Sequence, residues 1–139
     1  MNPHIFIFTS LFISFFTQKA DAIDRLDVKA AWKNKNYSKI ISISEKYPSL
    51  FSSGDLPYYL AQSLFQSKQI IEAASVCFKS AIQEKHQGCY TMLREIRESS
   101  PREYRYGLGK AHFDLGNMRK SFRAFYTLID EDPQDLRAR

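Results

Sequence analysis

From Ile23 onward the apolar positions recur at intervals of three and four, and no segment of useful length alternates apolar with polar. The pattern predicts amphipathic helices of about 11–15 residues, divided by short clusters of turn-forming residues. Ile5–Phe16 (IFIFTSLFISFF) breaks the rule: it is a run of 12 residues without a charge and without a polar face. The chain thus reads as an all-α domain preceded by a segment of a different kind.

The apolar run is too short to span a bilayer, which takes roughly 20 residues, and it suits the core of an export signal, which takes about 7–15. Ala20-Asp21-Ala22 supplies the small residues at −3 and −1 that a signal peptidase accepts, so cleavage after Ala22 leaves Ile23 first. Against this stands the first stretch, Met1 to His4, which has no Lys or Arg; the first basic residues, Lys19 and Arg25, follow the run. The expectation is a signal peptide over residues 1–22 and an exported protein, periplasmic or secreted. An uncleaved helix anchoring the chain to a membrane and a buried amphipathic helix are the alternatives.

Residues 23–139 contain a repeat. The run Arg102–Gln134 holds Leu108-Gly109, His112, Gly116-Asn117, Ser121, Phe125 and Pro133 in that order. Gly109 removes a side chain where two antiparallel helices touch, and Ser121 is the small residue opposite it. Gly116-Asn117 fits a left-handed turn, Phe125 fills the gap between neighbouring helices, and Pro133 stops the second helix. A second copy over 55–88 has Tyr58 at the first aromatic position, then Ala74, Phe78 and Ala81. A third, weaker copy over 21–54 has Ala31-Trp32, Lys35-Asn36-Tyr37 and Pro48. The apolar residues that open each second helix, taken as Tyr37, Ile71 and Met118, lie 34 and 47 positions apart. The excess falls on CYTMLREIRESSP at Cys89–Pro101, read as an inserted helix over about 89–100.

This arrangement of landmarks resembles the tetratricopeptide repeat, a helix-turn-helix unit of about 34 residues. The resemblance implies an α-α superhelix, a solenoid of about three repeats (21–54, 55–88, 102–135) plus the inserted helix. It also implies a concave groove. The groove positions map to Arg25, Lys29, Trp32 and Lys33 in the first copy, Tyr59, Ser63 and Gln66 in the second, and Tyr106, Lys110 and Phe113 in the third. Bases interleaved with aromatics suit an extended peptide with acidic or aromatic character. The family's carboxylate clamp is not supported, because Tyr59, Leu60 and Glu103 depart from its Lys and Asn pattern.

Phe122, Phe125, Tyr126 and Ile129 on the last helix are expected to pack inward on Leu108 and Phe113; the alternative is a docking face for a partner or a second copy. Composition narrows the function further. A hydrophobic content of 44% with 25% charged residues excludes a disordered tail and a multi-span membrane protein. The net charge of +5 permits an anionic partner without demanding one. Its charges form no single stripe, which argues against single-stranded RNA as a ligand.

Candidate chemistry is sparse. Cys77 and Cys89 are read as buried thiols, because Cys77 falls about 10 Å below the end of its helix while Cys89 sits at the next corner. His86-x-x-Cys89 has metal-like spacing but lacks a second ligand pair. His112 occupies an aromatic core position, and Gly107-Leu108-Gly109 follows no strand, so it is not a nucleotide fingerprint. No nucleophile motif or paired carboxylates appear. The expectation is a protein-binding scaffold that is not an enzyme and takes no metal or cofactor. Its partner is another protein, with self-association or membrane tethering through the last helix or the leader as the alternative.

Overall fold

Every described element is helical, and no strand occurs among the described residues. The computed structural model describes residues 25–135 and 137. The apolar run at 5–16 and the cleavage motif at 20–22 lie outside them. The elements are α1 (described over 25–33), α2 (Tyr37–Lys46), a 3-10 turn at Pro48–Phe51, α3 (Leu56–Gln66), α4 (Ile70–Glu84), α5 (Gln87–Ser99), α6 (Pro101–Asp114) and α7 (Met118–Glu131).

Three of the connections are built alike. Lys35, Lys68 and Gly116 take left-handed backbone angles, with φ of 53°, 65° and 75°. The N–H of the next residue reaches back five positions in each case: Asn36 to the Ala31 carbonyl (2.9 Å), Gln69 to Leu64 (2.9 Å) and Asn117 to His112 (2.8 Å). This is the six-to-one bond of a helix that ends in a left-handed residue. Asn36, Gln69 and Asn117 then share nearly the same φ and ψ before the next helix starts. The turns join α1 to α2, α3 to α4 and α6 to α7. Glycine suits such a site best; at the other two, lysine bears the unfavourable φ and the backbone bonds hold it there.

These turns correct the register read from the sequence. The second helices open at Tyr37, Ile70 and Met118, so Ile71 lies one residue inside α4. The intervals become 33 and 48. The inserted helix α5 begins at Gln87, before the expected residue 89, because Lys85 ends α4 in a left-handed cap and His86 caps α5 at once.

Consecutive helices pack in the order α2–α3–α4–α6–α7, and α5 rests on α3, α4 and α6. The backbones of α3 and α6 make no close approach. α4 is the inner helix of this set, and its buried residues Ala73, Ala74, Ser75, Cys77, Ser80 and Ala81 are all small, so neighbours approach closely. The approach is tightest at Gly107 of α6: a Cβ there would lie 2.4 Å from the Ala74 Cβ and 2.9 Å from the Ile71 carbonyl oxygen. Gly109, two residues on, faces α7 instead. A Cβ on it would meet the Phe125 ring at 2.7 Å, and the Ser121 hydroxyl donates to its carbonyl at 2.9 Å.

The main core runs from Val28 through Ile40, Leu50, Leu60, Leu64 and Cys77 to Ile96. α5 joins it through Cys89, Met92, Leu93 and Ile96, a stripe at helical spacing. α6 and α7 form a second, smaller cluster around Tyr106 and Leu128.

Candidate functional site

Two surfaces collect the residues singled out in the sequence. At the first, α1, α2, α3 and the start of α5 bring aromatic rings together. Trp32 stacks on Tyr59 (centroids 4.6 Å apart, planes 17° apart) and meets Tyr37 and Tyr58 edge-on at 6.4 and 6.0 Å. Tyr58 in turn stacks on His86 at 5.4 Å. This contact depends on Gly88, where a Cβ would sit 2.9 Å from the Tyr58 ring. His86 also accepts from the Cys89 backbone N–H through Nδ1 (3.4 Å) and lies 3.0 Å from Asp55 through Nε2. The metal-like spacing of His86 and Cys89 is therefore a helix cap. Among the described residues no group of three or more His, Cys, Asp or Glu is placed to hold a metal.

The ten groove positions divide. Trp32 and Tyr59 come into contact, with Arg25, Lys29 and Lys33 exposed on the same helix as Trp32. Gln66, Lys110 and Phe113 are exposed. Ser63 is fully buried, its hydroxyl donating to the Tyr59 carbonyl at 2.7 Å, and offers nothing to a ligand. Tyr106 is buried too. Its hydroxyl donates to the Asp135 carboxylate, which also accepts from Arg102 and, at 3.0 Å, from the Arg137 N–H. Tyr106 and Arg102 hold the Asp135 carboxyl well below the usual carboxylate range, while burial and Asp135 push the Tyr106 phenol up. α5 packs on both α3 and α6, so it lies beside the first helices of the second and third hairpins.

The second surface is on α6 and α7. Phe122 and Tyr126 are 71% and 60% exposed, Phe113 59% and Met118 54%, although large apolar side chains normally find cover. Phe122 and Tyr126 stack on each other at 6.1 Å. Inward packing on Phe113 therefore fails for these two, since Phe113 is itself uncovered. Only Phe125, against Tyr106 at 6.3 Å, and Ile129 pack on the small α6–α7 cluster. An open depression of about 570 Å³ lies between Phe113, Met118, Arg119, Ser121, Phe122 and Phe125.

Among the described residues the charges beside this stripe find no acidic partner. Arg119, Lys120 and Arg123 lie in the first two turns of α7, where the helix dipole is already positive, and the first turn has no acid. None of the three takes part in an ion pair among the described residues. On the other flank of α7, Arg105, Leu108, His112, Lys120 and Arg123 border a second depression of about 440 Å³. His112 keeps a buried Nδ1 without a hydrogen-bond partner, and burial, then Lys120, lower its pKa.

Sequence reasoning missed Gly107, the Tyr58–His86 contact and the Asp135 site. A second glycine two positions from Gly109 was the available signal for the first; the others rest on packing angles that leave no mark in spacing. Among the described residues no helix is long and apolar enough to cross a membrane. No family model, curated protein or solved structure matches this chain.

Proposed function

We propose that this chain is a non-enzymatic, exported scaffold of the tetratricopeptide type, which binds another protein through the exposed face of α6 and α7. Three hairpins closed by the same left-handed turn support the repeat reading. The observation that carries the binding reading is the stripe Phe113, Met118, Phe122 and Tyr126, uncovered among the described residues and flanked by unpaired Arg119 and Arg123. Its chemistry suits an amphipathic segment with apolar anchors and acidic neighbours: the rings supply affinity and the cations steer approach. The aromatic cleft at Trp32 and Tyr59, with Arg25, Lys29 and Lys33 beside it, is the secondary contact.

Self-association is less favoured, because a two-fold interface on this face would bring Arg119, Lys120 and Arg123 of both copies together. Residues 1–22 are the export signal, and the mature protein begins at Ile23.

A photo-crosslinker placed at Phe122 in the native host tests the binding reading, with Glu98 of α5 as the control position. A discrete adduct to an acidic protein at Phe122, absent at Glu98 and weakened by salt, is expected. Equal labelling at both positions, or an adduct made only of two copies of this chain, would overturn it. Amino-terminal sequencing of the mature chain tests export: Met1 intact, with the protein recovered from the cytoplasm, would sink that part.

A further inference from the structure

Cys77 and Cys89 belong to different helices, yet the fold sets their thiols against each other. On α4, Cys77 and Ser80 share one face; on α5, Cys89 and Met92 share another at the same three-residue spacing. The Cys77 thiol donates to the Met92 sulfur at 3.6 Å, one turn along α5 from Cys89, and the Cys89 thiol is its electrostatic neighbour. Both cysteines are buried and unbonded. Distance along α4 alone separates the two cysteines. α5, however, turns back over α4 and packs its first turns against the middle of that helix.

We propose that Cys77 and Cys89 are a dithiol redox site that closes to an intramolecular disulfide between α4 and α5, with a disulfide compound of the glutathione class as oxidant. The surroundings differentiate the two sulfurs. Cys89 sits in the first turn of α5, where the helix dipole favours a thiolate. The neighbouring Cys77 thiol lowers its pKa against the opposing effect of burial, and the adjacent His86 ring, which accepts from the Cys89 N–H, adds to this. His86 is in turn held by Asp55 at 3.0 Å. The adjacent Cys89 and burial push the Cys77 thiol up. The first-turn position of Cys89 on α5, against the mid-helix position of Cys77 on α4, makes Cys89 the attacking sulfur and Cys77 the resolving one.

The exchange balances in two steps. The Cys89 thiolate attacks one sulfur of oxidised glutathione, forming a mixed disulfide and expelling a glutathione thiolate. Cys77 then loses its proton and attacks the Cys89 sulfur, and the second glutathione leaves. Two protein thiols are oxidised, one glutathione disulfide is reduced to two thiols, and their protons pass to the two departing thiolates. Because both cysteines are buried, the first step occurs when the α4–α5 corner at Lys85 and His86 opens locally. Closing the bond then requires the sulfurs to reach about 2.05 Å. Among the described residues no other cysteine competes. The bridge is independent of any docking partner and of export.

The test is equilibration of the folded full chain with oxidised and reduced glutathione, followed by alkylation, digestion and mass analysis. The expected product is one Cys77–Cys89 linked peptide pair, lighter by two hydrogens, in a protein of unchanged helicity. Its melting temperature should exceed that of the reduced form by several degrees, since a short loop has been closed. In Cys77→Ser, Cys89 should accumulate as the glutathione mixed disulfide, whereas in Cys89→Ser, Cys77 should stay free. Two alkylated thiols in the folded wild type, at a ratio that oxidises the urea-unfolded chain, would overturn the proposal. A bridge that forms only with loss of helicity would do the same.

Discussion

The first and last hairpins share a turn but not a fate. From α1 to α3 most apolar residues are covered, with Val28, Ile40 and Ala61 fully buried and the 3-10 turn at Pro48–Phe51 packed on α2 and α3, although Leu26 of α1 stays 67% exposed. Around α7 only Ser121 and Leu128 are buried, while Phe122 and Tyr126 stand in solvent. Local geometry therefore does not decide coverage: a hairpin hides one face by itself, and its other face depends on what packs next. In the middle, α5 adds a further layer on α3, α4 and α6, so the contrast sharpens along the chain.

Paired truncations probe this contrast most strongly. Ile40→Ala should lose about 4 kcal/mol of unfolding free energy and Leu128→Ala about 2 kcal/mol, because the open flanks of α7 relax around a cavity more readily. Equal losses in urea unfolding would show that the two ends are equally packed. At the joint between them, Gly107→Val should cost about 3 kcal/mol by forcing α6 off α4. Hydrogen exchange should then show α6 and α7 deprotected while α2 and α3 keep their protection; uniform loss would mean that the two ends unfold as one.

A smaller effect of opposite sign is expected at His112. Its pKa is lowered on folding, so the unfolded chain binds the proton more readily. The stability it permits is fully present above about pH 6.5 and falls as the pH drops through the depressed value. His112→Phe should add about 1 kcal/mol by removing the orphaned nitrogen, and should flatten that part of the pH profile. Thermal melts between pH 5 and 8 would check both; an unchanged slope would assign it to another group. Smallest of all, Phe122→Ser should change stability by less than about 0.5 kcal/mol, because an exposed ring contributes little. The same variant should abolish partner crosslinking at Tyr126. A large loss of stability instead would mean that Phe122 is covered in solution.

Residues whose role is local were the legible ones. Gly109 and Ser121 meet as expected because a helix contact demands small partners, and Gly116 turns left-handed because glycine does so freely. Lys35 and Lys68 make the same turn without any such mark, since backbone hydrogen bonds shape it and the side chain contributes nothing. With Ile70 and Ile71 both apolar and no glycine to mark the turn, the pattern alone leaves the start of α4 ambiguous by one residue. The groove positions fared unevenly for another reason. Trp32 and Tyr59 lie on helices that neighbour each other, while the position of Tyr106 was decided by Asp135, 29 residues away. The meeting of Cys77 and Cys89, and the exposure of Phe122, depend on the angle of α5 and on what lies beyond α7. Neither is a property of a short window of sequence.

The small side chains of α4 have one more consequence. Ala73, Ala74, Ser75 and Ala81 fix how near α3, α5 and α6 come, so this helix acts as a spacer of set width between the two ends of the domain. A single added methyl group there would touch none of the exposed rings of α7 directly, yet it would tilt α6 and carry α7 with it. The aim of the aromatic stripe is thus set some distance from the stripe itself, by side chains that are almost not there.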